Sequence, residues 1–160
     1  MIPFIHILVY GYGNPGREDD GLGIELVRRL EAWVNQTGIS GITFDSNYQL
    51  NIEDAEIISQ KDVVIFADAS TEDIDDFILT EVTGESEATF TTHAASPGYI
   101  LKLCTDLFGK FPHVYLLHIK GYQWEFCESI SDKAEINLQK AFEFMKDYLV
   151  NLQSNNIKST

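Results

Sequence analysis

Asp19 and Asp20 stand side by side near the end of a glycine-rich stretch that runs Gly11-Tyr12-Gly13-Asn14-Pro15-Gly16-Arg17-Glu18-Asp19-Asp20-Gly21-Leu22-Gly23. A third acid, Asp68, closes the apolar run Val63-Val64-Ile65-Phe66-Ala67, and His93 shortly precedes Ser96-Pro97. Two carboxylates and one imidazole suit a transition metal as ligands, and a carboxylate also serves as a general base toward water. Clustering bare carboxylates is costly unless a cation compensates them or the site stays wet. Each residue also has a plainer reading. Asp19 or Asp20 can cap a helix, Asp68 can be a turn residue, and a lone loop histidine is most often an ordinary surface residue. His6 and His118 fall within strand-like runs and His113 stands beside Pro112, so they have less access to the same place.

Gly11, Gly13 and Gly16 also match the spacing G-x-G-x-x-G, which reads as a dinucleotide-binding turn when it follows a strand and opens a helix. The chemistry of the stretch opposes that reading. A pyrophosphate needs free N–H groups at the helix entrance. Pro15 removes one of them, and Glu18, Asp19 and Asp20 would confront the phosphate with three carboxylates. The acid expected about 20 residues further on has no clear counterpart, because Asp45 comes late. A cation, or a metal carried by a partner, suits this entrance better than an anion.

The elements that must hold these residues follow from hydropathy periods. Residues 5–10 read as a first buried strand, so the glycine stretch is the loop at its carboxyl end, where open α/β sheets place their sites. Leu22, Leu26, Leu30 and Trp33, flanked by Val27 and Val34, form one face of a helix that Thr37-Gly38 closes. Residues 41–47 read as a second strand and residues 51–59 as a short helix with Asn51 as its N-cap. Residues 63–67 are continuously apolar and β-branched or aromatic, as in a strand buried on both faces. Residues 77–83 alternate like a half-exposed strand, and the short turn before Phe77 leaves an antiparallel course open. Residues 84–92 are polar and loop-like. Ser96-Pro97 starts a helix that ends at Gly109, with Cys104 a small core residue. Residues 114–119 are a further buried strand and residues 121–129 are irregular. Ser131 or Asp132 caps a last helix whose stripe of Ala134, Leu138, Ala141, Met145, Tyr148 and Leu152 is core packing. This alternation predicts an α/β fold, a three-layer sandwich around a mostly parallel sheet of about five strands. Residues 1–153 form one domain and residues 154–160 a polar tail.

The whole chain narrows the function classes. It has 160 residues, 44% of them hydrophobic, enough for one domain with a real core. Its formal net charge of −14 makes nucleic acid an unsuitable partner, since phosphate must be neutralised by Lys and Arg. No apolar run approaches a membrane span. Cys104 and Cys127 are the only cysteines, which fits a reducing compartment and argues against a disulfide scaffold or a zinc site. We read the chain as soluble and cytoplasmic.

The stretch 11–23 resembles the signature of the hydrogenase maturation endopeptidases, G-x-G-N-x-x-x-x-D-[DE]-x-x-G after the first strand. The resemblance continues at Val64-Ile65-Phe66-Ala67-Asp68-Ala69, at Thr92-His93 before the Ser-Pro helix start, and at residues 121–131 with Glu125, Phe126 and Glu128. It covers nearly the whole chain. Asn47-Tyr48-Gln49-Leu50 departs from the Gly-rich turn of many members and is similar to members associated with soluble, cofactor-linked hydrogenases. The resemblance implies a compact α/β sandwich. The implied activity is that of a peptidase of the aspartic or metal-dependent type, which removes a short C-terminal peptide from the precursor of a [NiFe] hydrogenase large subunit once nickel is in place. It implies no cofactor of the protein's own. Asp20, Asp68 and His93 would contact the precursor's nickel, with Asp20 and Asp68 as the catalytic acids. Gly13 and Asn14 would let the loop turn tightly beside the substrate, and Asp19 would cap the helix or hold the loop that aims Asp20. Two other classes stay open: a non-catalytic chaperone that binds nickel or the precursor, and a nucleotide-binding enzyme of the Rossmann type.

Overall fold

In the computed structural model, which describes residues 4–84 and 95–158, odd and even positions of the central strands feed two separate cores. Strand β1 (Ile7–Tyr12) sends Ile7 and Val9 to one face and Leu8 and Tyr10 to the other. Strand β3 (Val63–Ser70) divides Val63, Ile65 and Ala67 from Val64 and Phe66 in the same way. This is the period-two alternation of a strand, and it explains why both strands read as unbroken apolar runs: each face meets a layer of helices. Helices α1 (Leu22–Thr37) and α4 (Asp132–Lys158) cover the first face, with Leu26, Leu30, Leu138 and Met145 fully buried against it. Helices α2 (Asp54–Ser59) and α3 (Pro97–Phe108) cover the second, with Ile58, Ile100 and Cys104 fully buried.

The five strands lie in the order β2-β1-β3-β5-β4, with β2 at Ile42–Asn47, β4 at Phe77–Glu81 and β5 at His113–Lys120. Pairs β1–β2, β1–β3 and β3–β5 are parallel, and β4 joins β5 antiparallel at the edge. The three-layer sandwich, the mostly parallel sheet and the single antiparallel strand are as the sequence predicts. The helix punctuation also agrees. Ser96 accepts the Tyr99 N–H at 3.1 Å as N-cap of α3, Gly109 takes the left-handed conformation that ends it, and Gly38 does the same for α1. Ser131 Oγ accepts the Ala134 N–H at the start of α4.

Several boundaries differ: β3, read as residues 63–67, runs on to Ser70 and so includes Asp68, and β4, read as residues 77–83, ends at Glu81. β1 starts at Ile7 and continues to Tyr12, because Gly11 is still in register with both Ser46 and Ala67. Helix α2 starts at Asp54 rather than at residue 51, and Asn51 is not its cap. The roles are reversed: the Asn51 N–H donates to the Asp54 carboxylate at 2.8 Å. Asp54 is buried and also receives the Tyr10 hydroxyl at 3.0 Å, so the acid closes the turn from its far end. Helix α4 runs to Lys158 and takes in residues 154–158 of the polar tail. The buried Gln153 side chain, bonded to the Ile5 and Ser40 carbonyls, ties that helix to the start of the sheet. The polar loop expected after Gly84 lies outside the described residues. Among the described residues no helix is long and apolar enough to cross a membrane.

Candidate active site

The chain leaves β1 through α1 to reach β2 on one side, then returns through α2 to place β3 on the other side of β1. The carboxyl ends of β1 and β3 therefore flank a topological switch point, the place where open α/β sheets form a crevice. The glycine loop leaves from one lip and Asp68 occupies the other.

Gly11 and Gly23 bring the loop down onto the sheet. A Cβ at Gly11 would lie 2.2 Å from the Gly23 carbonyl oxygen, and one at Gly23 would lie 2.2 Å from that of Ala67. No side chain fits either gap, so the amino end of α1 packs directly on the ends of β1 and β3. Gly13 has a φ of +138°, and a Cβ there would lie 2.1 Å from the Asp20 carbonyl oxygen. The backbone thus folds Asp20 back over Gly13, and the Asp20 carboxylate accepts the Asn14 N–H at 2.8 Å. The Asn14 side chain in turn accepts the Gly16 N–H at 2.8 Å. Gly13 and Asn14 therefore shape the turn and aim Asp20.

Asp68 is half-buried. Burial, and next the negative charge of nearby Asp20, push its carboxyl up to about 7; hydrogen bonds from the Ala69 N–H and the Tyr12 hydroxyl pull the other way. The charge of Asp20 on one lip of the crevice thus acts on the Asp68 carboxyl on the other. Sequence reasoning missed Tyr12. The usable signal was its position one residue beyond Gly11: in the β1–β3 register Gly11 pairs with Ala67, so Tyr12 falls beside Asp68.

Asp19 does something else. It is neither the cap of α1 nor a residue of the crevice. The N-cap position of α1 is Gly21, with no side-chain hydrogen bond, and a short 3₁₀ turn over Glu18–Gly21 precedes the helix. Asp19 is fully buried, and its carboxylate accepts the N–H groups of Tyr122, Gln123 and Ser131 and the Ser131 hydroxyl, at 2.7 to 2.9 Å. Burial raises its pKa, but these four bonds outweigh that and hold the carboxyl below the usual carboxylate range. It pins the irregular segment between β5 and α4 against the glycine loop. The same seam contains the Glu18 N–H to Cys127 carbonyl bond at 2.7 Å, the Cys127 N–H to Gly16 carbonyl bond at 3.0 Å, and the Arg17 guanidinium 5.1 Å from the centre of the Phe126 ring. It also holds Glu18 at a φ of +45°, a left-handed conformation that a bulky residue keeps only when its surroundings enforce it.

These bonds weigh against the nucleotide reading. The N–H groups of Gly13, Asn14, Gly16, Arg17, Glu18, Asp19 and Asp20 all donate to protein acceptors, and Pro15 has none to offer. Those seven N–H groups are thus committed within the protein and do not form the free cradle that the G-x-G-x-x-G spacing suggests.

His93 lies outside the described residues. Among the described residues no three His, Cys, Asp or Glu side chains converge as a metal-binding group. Pro15, Ile24, Ser46, Asn47 and Tyr48 line a cleft of about 340 Å³ beside the glycine loop. A cavity of about 610 Å³ opens near Ile5, Asp62 and His113, at the other end of the sheet, and contains none of the candidate residues.

The fold, with this strand order and both sheet faces covered, is one that solved hydrogenase maturation proteases share. The chain is similar to the [NiFe] hydrogenase maturation protease HycI from Thermococcus kodakarensis KOD1, with a TM-score of 0.72 and 18% identity over 90% of this chain and 92% of that one. It is similar to the hydrogenase maturating endopeptidase HybD from E. coli, with a TM-score of 0.71 and 19% identity over 92% and 93% of the two chains. An endopeptidase from Escherichia coli solved in solution gives a TM-score of 0.67 at 21% identity, over 88% of this chain and 90% of that one. No protein-family model matches the sequence, and no curated protein matches it significantly.

Proposed function

We propose that this chain is a hydrogenase maturation endopeptidase that removes a short C-terminal peptide from a nickel-loaded [NiFe]-hydrogenase large-subunit precursor. The observation that carries this reading is the approach of Asp20 and Asp68 across the switch point, close enough for the charge of Asp20 to raise the pKa of Asp68. The likeness of fold to named maturation proteases supports it, as does the loop pattern over residues 11–23.

The precursor presents its nickel to the crevice. The ion's charge relieves the repulsion between the two carboxylates and draws Asp68 into its ionised form. His93 is the third contact. Ala95, just after it in sequence, packs into the core on the sheet face that Tyr12 and Phe66 share. One carboxylate of the pair takes a proton from water, and the nickel polarises the scissile carbonyl. The protein needs no metal of its own in this scheme, and an empty precursor leaves Asp68 substantially protonated near neutral pH. Recognition of the ion and activation of the base are then one event, which makes cleavage follow nickel insertion. Cys104 and Cys127 are free, in keeping with a cytoplasmic site of action.

Mass spectrometry of a large-subunit precursor incubated with this protein, with and without nickel, tests the proposal. Loss of a C-terminal peptide only from the loaded precursor is the expected result. An intact precursor under both conditions would refute the peptidase and favour a binding chaperone. Cleavage of the empty precursor would remove the role given to nickel.

A further inference from the structure

We infer that the cavity at the amino end of the sheet is a docking site for an acidic peptide segment of a partner protein, held by Lys61, Lys110 and the Phe111 ring. It lies at the end of the strands opposite Asp20 and Asp68, so the inference does not rest on the proposed function.

Strand register builds the site. Ile7, Val63 and His113 stand in one row across β1, β3 and β5, so the residues that lead into these three strands meet at one end of the sheet. Ile5, Lys61, Asp62 and residues 110–113 line a cavity of about 610 Å³ there. Backbone bonds fix its frame. The His113 N–H donates to the Asp62 carbonyl at 3.0 Å, and the Asp62 N–H to the His6 carbonyl at 2.8 Å. The Thr105 hydroxyl donates to the Lys110 carbonyl at 3.3 Å and steadies the turn after α3. A wall formed in advance spares a ligand the cost of ordering it.

Charge selects the ligand. The chain carries a formal net charge of −14. Its other cations with described side chains pair with carboxylates, as Arg29 and Lys140 do, or lie over aromatic rings, as Arg17 and Lys133 do. Lys61 bonds only the neutral Thr43 hydroxyl, at 3.0 Å. Lys110 has no carboxylate partner among the described residues. Asp62 is the one acid lining the cavity, and its carboxylate accepts the His6 N–H at 2.7 Å. Each lysine also follows a helix end, where a cation opposes the dipole. That role explains neither their shared cavity nor Phe111, which lines it with them and stands 76% exposed.

The apolar surface argues for a peptide. Leu107 and Phe108, in the last turn of α3, and Phe4 beside Ile5 are exposed as well. Grouped apolar side chains in water mark interaction surfaces. A peptide can cover these side chains and still present carboxylates to both lysines, whereas a small anion cannot. At physiological ionic strength charges are screened over about 8 Å, so the two lysines and not the acidic remainder of the chain set the local field.

The test selects random dodecapeptides displayed on phage against the immobilised protein at physiological salt, after depletion on immobilised Lys61→Ala/Lys110→Ala. The enriched peptide is then labelled and titrated by fluorescence anisotropy. Enriched sequences should be rich in Asp and Glu and carry an aromatic or large aliphatic residue. Affinity should fall about tenfold in Lys61→Ala/Lys110→Ala and about tenfold in Phe111→Ala. Lys102→Ala/Lys140→Ala removes the same charge elsewhere and should bind as wild type does. These side chains are exposed or half-buried, and circular dichroism should show each variant folded. No enrichment, enrichment without an acidic bias, or equal affinity of wild type and either cavity variant would overturn the inference. So would tighter binding of inorganic phosphate than of the peptide, which would give the lysines to a free anion.

Discussion

The Asp19 carboxylate receives both the backbone N–H and the hydroxyl of Ser131, each at 2.7 Å, across most of the length of the chain. Ser131 is also the N-cap of the last helix. One buried acid thus joins the loop after the first strand to the start of the last helix. Its neighbour Asp20 turns the other way, toward Asn14 and the crevice. Two adjacent aspartates thus face different parts of the fold.

Asp19→Ala should therefore destabilise the fold. The substitution leaves three backbone N–H groups and a hydroxyl without their acceptor, and bonds to a charged acceptor are worth about 1.5–3 kcal/mol each before compensation by water. A loss of about 3 kcal/mol is expected, a fall in Tm of about 6–12 °C for a chain of this size. The folded-state pKa of Asp19 is depressed, so its contribution is present above the ordinary carboxylate pKa and fades as pH falls through the folded value. The gap between wild type and variant in thermal melts should narrow in acid. An unchanged Tm at pH 7 would contradict the role of Asp19 as the pin.

Asp68→Asn should do the opposite to the free protein. The Asp68 carboxyl is raised to about 7 from an ordinary value near 3.8. Between these values the folded state keeps a proton that the unfolded state has released, so wild-type stability declines as pH rises through that window. Asparagine does not titrate. At pH 8 the variant should be more stable, by on the order of 2 kcal/mol once solvent screening is allowed for, and the gain should disappear by about pH 4. Thermal melts at the two pH values check it; a gain independent of pH would mean that burial and Asp20 do not perturb Asp68.

For cleavage, Asp68→Asn and Asp20→Asn should each abolish nickel-dependent processing while leaving a folded protein. Either neutral amide removes one of the two charges that a cation would bridge. Circular dichroism alongside mass spectrometry of the processed precursor separates loss of chemistry from loss of fold. Full processing by either variant would take that residue out of the site.

Gly13→Ala should cost both fold and activity. The new Cβ would lie 2.1 Å from the Asp20 carbonyl oxygen at a φ of +138°, and side chains at such φ values cost about 1–3 kcal/mol before any clash. The loop must open, and Asp20 loses its aim. A folded variant with wild-type processing would show that the tight turn is not what sets Asp20.

Much of this protein was legible in its sequence because the signals are local. The alternation of Leu8 and Val9 or of Val64 and Ile65, the cap at Ser96-Pro97 and the stops at Gly38 and Gly109 each depend on a few neighbouring residues, and such patterns determine element type and hence the three-layer class. The sequence also marked Asp20 and Asp68, since acids at the ends of two buried strands must share one edge of a parallel sheet. Tertiary structure alone decided the rest. Asp19 and Asn51 resembled helix caps, because capping is a local rule; burial against residues 122–131 recruited the one, and the reach of Asp54 bypassed the other. The glycine loop matched a nucleotide cradle in spacing, yet its N–H groups were committed to acceptors supplied partly by Asn47, Gln123 and Cys127. The placement of Tyr12 beside Asp68 depends on strand register, which no single segment encodes. Spacing specifies which groups lie near one another along the chain, whereas the free energy of a buried polar group is set by whatever donor or acceptor the fold brings to it from elsewhere.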